Sequence, residues 1–335
     1  MASAHLELGP FDDLDQLAAL EPEVTWVSIS HRYRPFRLPR LPSQVRRLDL
    51  ANVSLKGPVL FTDHSSDGLE ELTLTGITTK VPMNKWPFPA PLRQLTYRRC
   101  QGTIDLRSVS SAKITLTELT GQPRVRLPEA LDELTLAFID AEAVTAIELP
   151  PYLRVLNLVM IGDGTEYQGL ACPSLKELNL TEVGADVPIT ELYPGLETLQ
   201  LTCYVPTKPI VLALPELRDL TIREATSAEP FELACPKLES LTVIASHEYE
   251  PPDLSRLENN LGQSLLRLVL HRVTDFPAAT DWKELTSLTI DESPVDLPYM
   301  PWLDTLKQDL YMTTNGICFR GVDMYRRAWG LPIWA

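Results

Sequence analysis

The phrase L-x-x-L-x-L recurs through almost the whole chain, and few folds are open to a chain with this habit. It reads VTWVSI from Val24, VRRLDL from Val45, LEELTL from Leu69, LRQLTY from Leu92 and SAKITL from Ser111. It continues as LDELTL from Leu131, LRVLNL from Leu153, LKELNL from Leu175 and LETLQL from Leu196. LRDLTI from Leu217, LESLTV from Leu238, LLRLVL from Leu265 and LTSLTI from Leu285 complete the series. Successive starts lie 21, 24, 23, 19, 20, 22, 22, 21, 21, 21, 27 and 20 residues apart. One such unit is too short to bury its own apolar side chains, so units must stack and cover one another.

The grammar within a unit predicts a strand followed by a return path. The L-x-L pair alternates with period two, which points Leu72 and Leu74 inward and Glu71, Thr73 and Thr75 outward. Three residues beyond the pair an apolar side chain returns, as Val53, Ile77, Cys100, Leu119, Ile139, Ile161, Val183 and Tyr204, weakening to Ala225 and Ser246. About ten residues on comes a second short extended phrase: PFRL, PVLF, TIDL, RVRL, AIEL, PIVL, PFEL or PVDL. Proline then recurs before the next unit, as in LPEAL, LPPYL, CPSL, YPGL and CPKL, which blocks a helix and favours an extended or polyproline return. The expectation is a mostly β, helix-poor solenoid with one parallel sheet on its concave side.

Composition agrees with such a stack. Among 335 residues there are 56 leucines and 29 prolines, and 44% of the chain is apolar. No uninterrupted run of about 18 apolar residues is present, which excludes a spanning helix. The first 30 residues hold no Lys or Arg, so neither a secretory signal nor a transit peptide is expected, and a cytoplasmic or other intracellular location follows. Five cysteines, at 100, 172, 203, 235 and 318, form no CxxC pair and fit free thiols in a reducing compartment.

With these phrases in hand, residues 24–303 resemble the leucine-rich repeat family. CPSLKELNL and CPKLESLTV are similar to units found beside F-boxes, and the LP-x-x-L spacing is similar to short bacterial effector repeats. The resemblance implies a recognition scaffold; in its F-box form it implies the substrate-recognition subunit of a ubiquitin ligase. About 23 residues precede the repeats, with no F-box among them, and about 30 follow, too few for an effector's catalytic domain. This chain departs from the family at the ninth position, where the usual Asn or Cys is mostly Ile, Val or Leu. Apolar stacking must therefore hold the corners in place of an asparagine ladder.

The organisation expected is a cap over 1–23, about thirteen coils over 24–303 and a cap or tail over 304–335. Thirteen coils at strand spacing would extend about 60 Å. FDDLDQLAALEPE reads as a short amphipathic helix using Phe11, Leu14, Leu17 and Leu20. The 27-residue interval holds HEYEPPDLSRLENNLGQ (247–263), where Asp253 or Ser255 would cap a short helix ending near Gly262. That insert and the tail, which carries Tyr311, Phe319, Tyr325, Trp329 and Trp334, are alternative docking segments.

Catalytic grammar is scarce: GxSxG, the P-loop and HExxH are all missing. The histidines at 5, 31, 64, 247 and 271 show no metal-ligand spacing, and GDGTE at 162–166 reads as a surface turn. No cofactor and no catalytic residue is expected. Attention moves to the outward columns of the strands. The middle column runs Ser28, Asp49, Thr73, Thr96, Thr115, Thr135, Asn157, Asn179, Gln200, Thr221, Thr242, Val269 and Thr289. Candidate partner-binding residues come mostly from the flanking columns: Trp26, Arg47, Arg98, Lys113, Glu133, Glu177, Arg223 and His271. An apolar patch of Val155 and Val159, with Phe138 and Met160 at the adjoining edge, joins them.

These residues favour a non-enzymatic protein-interaction scaffold. A parallel β-helix acting on acidic polysaccharides is the enzymatic alternative, and it would need three sheets per coil. The third alternative rests on charge. The net −15 divides into −6 over 1–30, +9 over 31–126 and −18 over 127–335. HRYRPFRLPRLPSQVRR (31–47) holds six arginines and no acid, which suits an acidic or phosphorylated ligand bound within 31–126. The acidic total argues against nucleic acid across the whole molecule, and no membrane partner is expected.

Overall fold

The structure, a computed structural model, describes residues 4–39, 41–57, 68–79, 86, 88, 92–99, 104–119, 125–140, 144, 147–162, 167–183, 187–204, 211–224, 232–245, 264–273, 284–292, 309–314 and 317–320. They fall into two compact units, residues 1–172 and 173–335.

The L-x-L pair that closes each repeat phrase lies in a strand throughout the described residues. In the first unit the parallel strands are Ala4–Leu8, Val24–Ser30, Arg47–Ala51, Glu71–Thr75, Gln94–Arg98, Lys113–Thr117, Glu133–Ala137 and Val155–Val159. In the second they are Glu177–Thr181, Thr198–Thr202, Asp219–Arg223, Ser240–Ile244, Arg267–His271, Ser287–Asp291 and Asp309–Thr314. The register places repeat on repeat: Leu134 lies against Ile114 and Leu156, and Leu220 against Leu199 and Leu241. Inward leucines such as Leu48, Leu95, Leu134 and Leu199 are 0% exposed, so removal of apolar surface from water acts along the whole stack.

Several coils carry two-residue strands on their far side. Ile104–Asp105 pairs with Val125–Arg126, Val211–Leu212 with Glu232–Leu233, and Ser54–Leu55 with Thr78–Thr79. Phe36 bridges to Leu55 and Val125 to Ile147. The phrases PFRL, TIDL, RVRL, AIEL, PIVL and PFEL thus supply extended far-side contacts, while PVLF and PVDL lie outside the described residues. Among the described residues, a five-residue strand with at most one brief opposing strand contact in a coil is not the three-sheet coil of a β-helix, and the leucine-rich architecture holds instead. Helix is confined, among the described residues, to short turns such as Leu14–Ala19, Tyr167–Leu170 and Ile189–Leu192.

Two local expectations are corrected. The prolines do not build a polyproline return. The N–H groups of Leu153, Leu196, Leu217 and Leu238 bond back to the carbonyls of Pro150, Tyr193, Leu214 and Cys235, closing four-residue turns. Pro151, Pro194, Pro215 and Pro236 occupy the second place of those turns, where a fixed φ near −65° is already correct. The expected short N-terminal helix is present as a 3-10 helix over Leu14–Ala19, but Phe11 does not join its apolar face. Asp13 caps it by accepting from the Asp15 N–H, Leu17 is fully buried, and Phe11 stands 98% exposed.

The ends of the repeat also hold strands that the leucine phrase does not mark. Ala4–Leu8 pairs with Val24–Ser30, and Asp309–Thr314 pairs with Ser287–Asp291 and, antiparallel, with Ile317–Arg320. The 246–262 insert and the tail beyond 320 lie outside the described residues.

The corner after each strand is the least expected feature. Twelve residues take a left-handed conformation there, at φ between 47° and 61°, and only Gly76 is glycine. The others are His31, Asn52, Arg99, Glu118, Phe138, Met160, Glu182, Cys203, Glu224, Arg272 and Glu292. The backbone N–H at this place reaches the next coil: Asn52 donates to Thr75 O at 2.7 Å, Phe138 to Val159 O at 2.9 Å and Glu224 to Ile244 O at 2.7 Å. The next residue turns inward, and Val53, Leu119, Ile139, Ile161, Val183, Tyr204 and Val273 are all 3% exposed or less. Apolar stacking therefore fills the corner, as the ninth-position departure requires. In the Ser240–Ile244 coil Ala245 is 5% exposed, and the expected Ser246 lies outside the described residues.

A Cβ built on Gly76 would fall 2.6 Å from Asn52 Oδ1. Gly76→Val is therefore expected to lower stability by about 2 kcal/mol or more, through both contact and left-handed strain. Glu182→Gly relieves strain while loosening the unfolded chain, so its change stays within about 1 kcal/mol. Denaturant midpoints of the two variants check the contrast.

Candidate binding surface

The outward residues of each sheet stand in continuous rows. In the first unit the middle row runs Ser28, Asp49, Thr73, Thr96, Thr115, Thr135 and Asn157, each directly opposite the next. In the second it runs Asn179, Gln200, Thr221, Thr242, Val269, Thr289 and Tyr311. Outward polar rows over an inward leucine layer, one strand per coil, decide the architecture. This is a leucine-rich repeat fold.

No family model matches the chain, and no curated protein matches it. Among solved structures it is similar to CroV588, described as a novel circular leucine-rich repeat protein, at 14% identity with a TM-score of 0.35 over 84% of this chain and 55% of that one. It is also similar to TLR13 in a complex with ssRNA13, at 15% identity with a TM-score of 0.43 over 91% of this chain and 56% of that one. The chain spans a little over half the length of each.

Within the leucine-rich repeat rows, several candidate residues are engaged with one another. Trp26 stacks on His5 at 3.8 Å between ring centroids, receives the Arg47 guanidinium at 4.4 Å, and donates from Nε1 to Asp49 at 2.7 Å. Arg47 also pairs with Asp49 at 3.1 Å and Glu71 at 3.6 Å. Arg98 donates to Glu118 at 2.6 Å, and Arg99 pairs with the same carboxylate. Lys113 meets Glu133 at 2.6 Å, and Glu133 and Thr135 both accept from Asn157. Glu177 accepts from Asn179 at 3.1 Å, and His271 faces Asp291 at 3.3 Å. Arg223 is exposed.

The apolar patch is rearranged. Val155 is 7% exposed, so it belongs to the covered layer rather than the surface expected for it. Phe138 and Met160 are 51% and 42% exposed, each at a left-handed corner, and the Phe138 N–H bonds to the carbonyl of half-buried Val159. The exposed apolar character thus lies along the sheet edge.

Several of the early arginines are also occupied. Arg46 donates to Gly68 O, and Arg32 donates to Asp12 O while its guanidinium lies 5.7 Å from the Phe36 ring centroid. On the far side, Asp105 is 5% exposed and bound by Arg107 at 2.7 Å, with Arg126 at 3.8 Å. The Arg107 hydrogen bond holds its carboxyl below the usual carboxylate range, against the opposing effect of burial. A recess of about 290 Å³ beside them is lined by Arg107, Arg126, Glu129 and Glu148, among others.

Cys172, Cys203 and Cys235 have described side chains, and all three are free thiols. Cys172 and Cys235 are 1% and 0% exposed, with thiols aimed at backbone carbonyls. Cys203 donates to Glu224 at 3.2 Å, and burial together with that carboxylate pushes its pKa to about 11. Among the described residues no group of three or more His, Cys, Asp or Glu is placed to hold a metal, and no helix is long and apolar enough to cross a membrane.

Two predictions follow from these pairs. The folded Asp105 carboxyl sits below its unfolded pKa, so its ion pairs stabilise the fold in full above about pH 4 and are lost as pH falls through the folded value. The gap in melting temperature between wild type and Asp105→Asn should be widest near neutrality and close in acid. Alkylation of Cys203 at neutral pH should be slow and should quicken in Glu224→Gln, as followed by mass spectrometry.

Proposed function

We propose that this chain is a non-enzymatic recognition scaffold that binds another protein on the outward face of its repeat sheet. The in-register outward rows support this reading. Main-chain groups within each ladder are used by neighbouring strands, so that face offers a partner side chains alone. Those side chains are largely short hydroxyls flanked by ion pairs fixed in advance, such as Lys113–Glu133 and the Arg98–Glu118–Arg99 cluster. Side chains already held in place lose less conformational freedom when a partner arrives. An attachment to a ubiquitin ligase is one setting for such a scaffold.

A second reading has its own observation. Arg34 and Arg37 are exposed and have no ion-pair or hydrogen-bond partner among the described residues. Tyr33 beside them is 74% exposed, and the Arg32 bond to Asp12 ties the Phe11 loop to the same segment. Free guanidiniums beside exposed rings suit an acidic or phosphorylated ligand. Arg34→Ala with Arg37→Ala should abolish salt-sensitive retention on immobilised phosphopeptide if this site operates.

The main reading is tested by blocking the face. Charge reversal of Arg98 or Lys113 would break internal pairs, so larger side chains at Thr115, Thr135 and Thr202 are the cleaner probes. Affinity capture with Thr115→Arg, Thr135→Arg or Thr202→Arg should lose specific partners that wild type retains. Glu129→Arg, on the far side, should retain them. An identical partner set in all four variants removes the outward face from consideration.

A further inference from the structure

The second unit contains an anomaly of charge. Its cations with described side chains are Lys176, Arg218, Arg223, Lys237, Arg267 and Arg272. Lys176, Arg218, Lys237 and Arg272 each pair with a glutamate. Arg223 and Arg267 are exposed, and their guanidinium groups have no ion-pair or hydrogen-bond partner among the described residues. They lie in the segment of greatest acidic excess, where a counter-charge is easiest to find, and both occupy outward positions of one sheet.

Register fixes their relation. Arg223 is the last residue of Asp219–Arg223 and pairs with Ile244; Arg267 is the first of Arg267–His271 and pairs with Ser240. The two are thus separated by two strand spacings across the sheet and four residues along it, a diagonal of about 16 Å between α-carbons. Thr242 lies at the middle of that diagonal, and the half-buried Ile244 and Val269 form an aliphatic step along one side. Two carboxylates flank this arrangement. Asp291 is engaged by His271, while Asp219 stands exposed in the same row as Arg267, with Ser240 between them.

We propose that this face binds an extended acidic peptide, with one carboxylate on Arg223, one on Arg267 and an aliphatic side chain between them on Ile244 and Val269. The proposal rests on the scaffold reading and names the partner chemistry for its second unit. Charge complementarity selects the occupant: two free guanidiniums beside an apolar step match carboxylates flanking an aliphatic residue. An extended chain covers the diagonal in about five residues, which sets the spacing of the acids. Asp219 repels a carboxylate placed over the other diagonal and so fixes the register.

The test uses the full chain and a fluorescein-labelled peptide, Asp-Thr-Val-Ile-Thr-Asp, followed by fluorescence anisotropy at low and high salt. Wild type should bind in a salt-sensitive manner, and the same peptide with Lys for both Asp should not. Arg223→Glu and Arg267→Glu should each weaken binding by about tenfold or more, without change in melting temperature, because both side chains are exposed. Asp219→Asn should tighten binding, a gain that misfolding does not produce. Absence of binding, or equal binding by all variants, overturns the proposal. If the peptide fails while Thr202→Arg still blocks partner capture, this inference falls and the scaffold reading stands. If the peptide binds through both arginines while Thr202→Arg leaves other partners in place, the peptide site stands and the broader scaffold face is what fails.

Discussion

A leucine pointing inward from a single five-residue strand has nothing to touch until a second coil is laid beside it. That dependence governs the rest of the molecule. It requires parallel strands in strict register, because a slip by one residue would turn Leu134 or Leu199 to the outside. It requires each coil to return to the same starting line, which the Pro-containing turns and the short far-side ladders accomplish. Carbonyls just ahead of the strands reinforce the line: Arg218 O accepts from both Glu239 and Ser240, and Glu239 O from both Leu266 and Arg267.

Stacking also organises the charges. Residues one repeat apart, 19 to 27 positions in the chain, become neighbours, so an acid in one coil meets a base in the next at the same place. Glu70 with Arg93, Asp132 with Arg154 and Lys176 with Glu197 all occupy the position before or at the strand start in successive coils. Surface pairs of this kind contribute little stability one at a time. Their effect is on the face that they leave behind, where most charges are matched and the unmatched ones stand out.

Much of this was written openly in the chain. The leucine phrase marked nearly every long strand, its spacing aligned the outward rows correctly, and the second phrase located most far-side contacts. What escaped had physical reasons. Ala4–Leu8 lacks the phrase and carries only period-two alternation, His5 and Glu7 against Leu6 and Leu8, which is weak in isolation. Val155 sits at an outward position by spacing, and its burial depends on neighbours that no local pattern names. The ion pairing of Lys113 with Glu133 was implicit in the aligned columns, yet side chains considered one at a time look free. The left-handed corners were hidden most completely, because their occupants share no chemistry.

At an ordinary turn, glycine or asparagine adopts a left-handed backbone for its own reasons, and sequence change there is tightly limited. Here the adjoining coil accepts the N–H, and histidine, arginine, glutamate, phenylalanine and cysteine all adopt the conformation. Folding therefore places little demand on the side chain at this position. The result, Gly76 apart, is a row of sites along the sheet edge, at most one per coil, whose chemistry can be rewritten with the architecture unchanged. A lineage, or an engineer, that needs a different edge would find these places the most permissive.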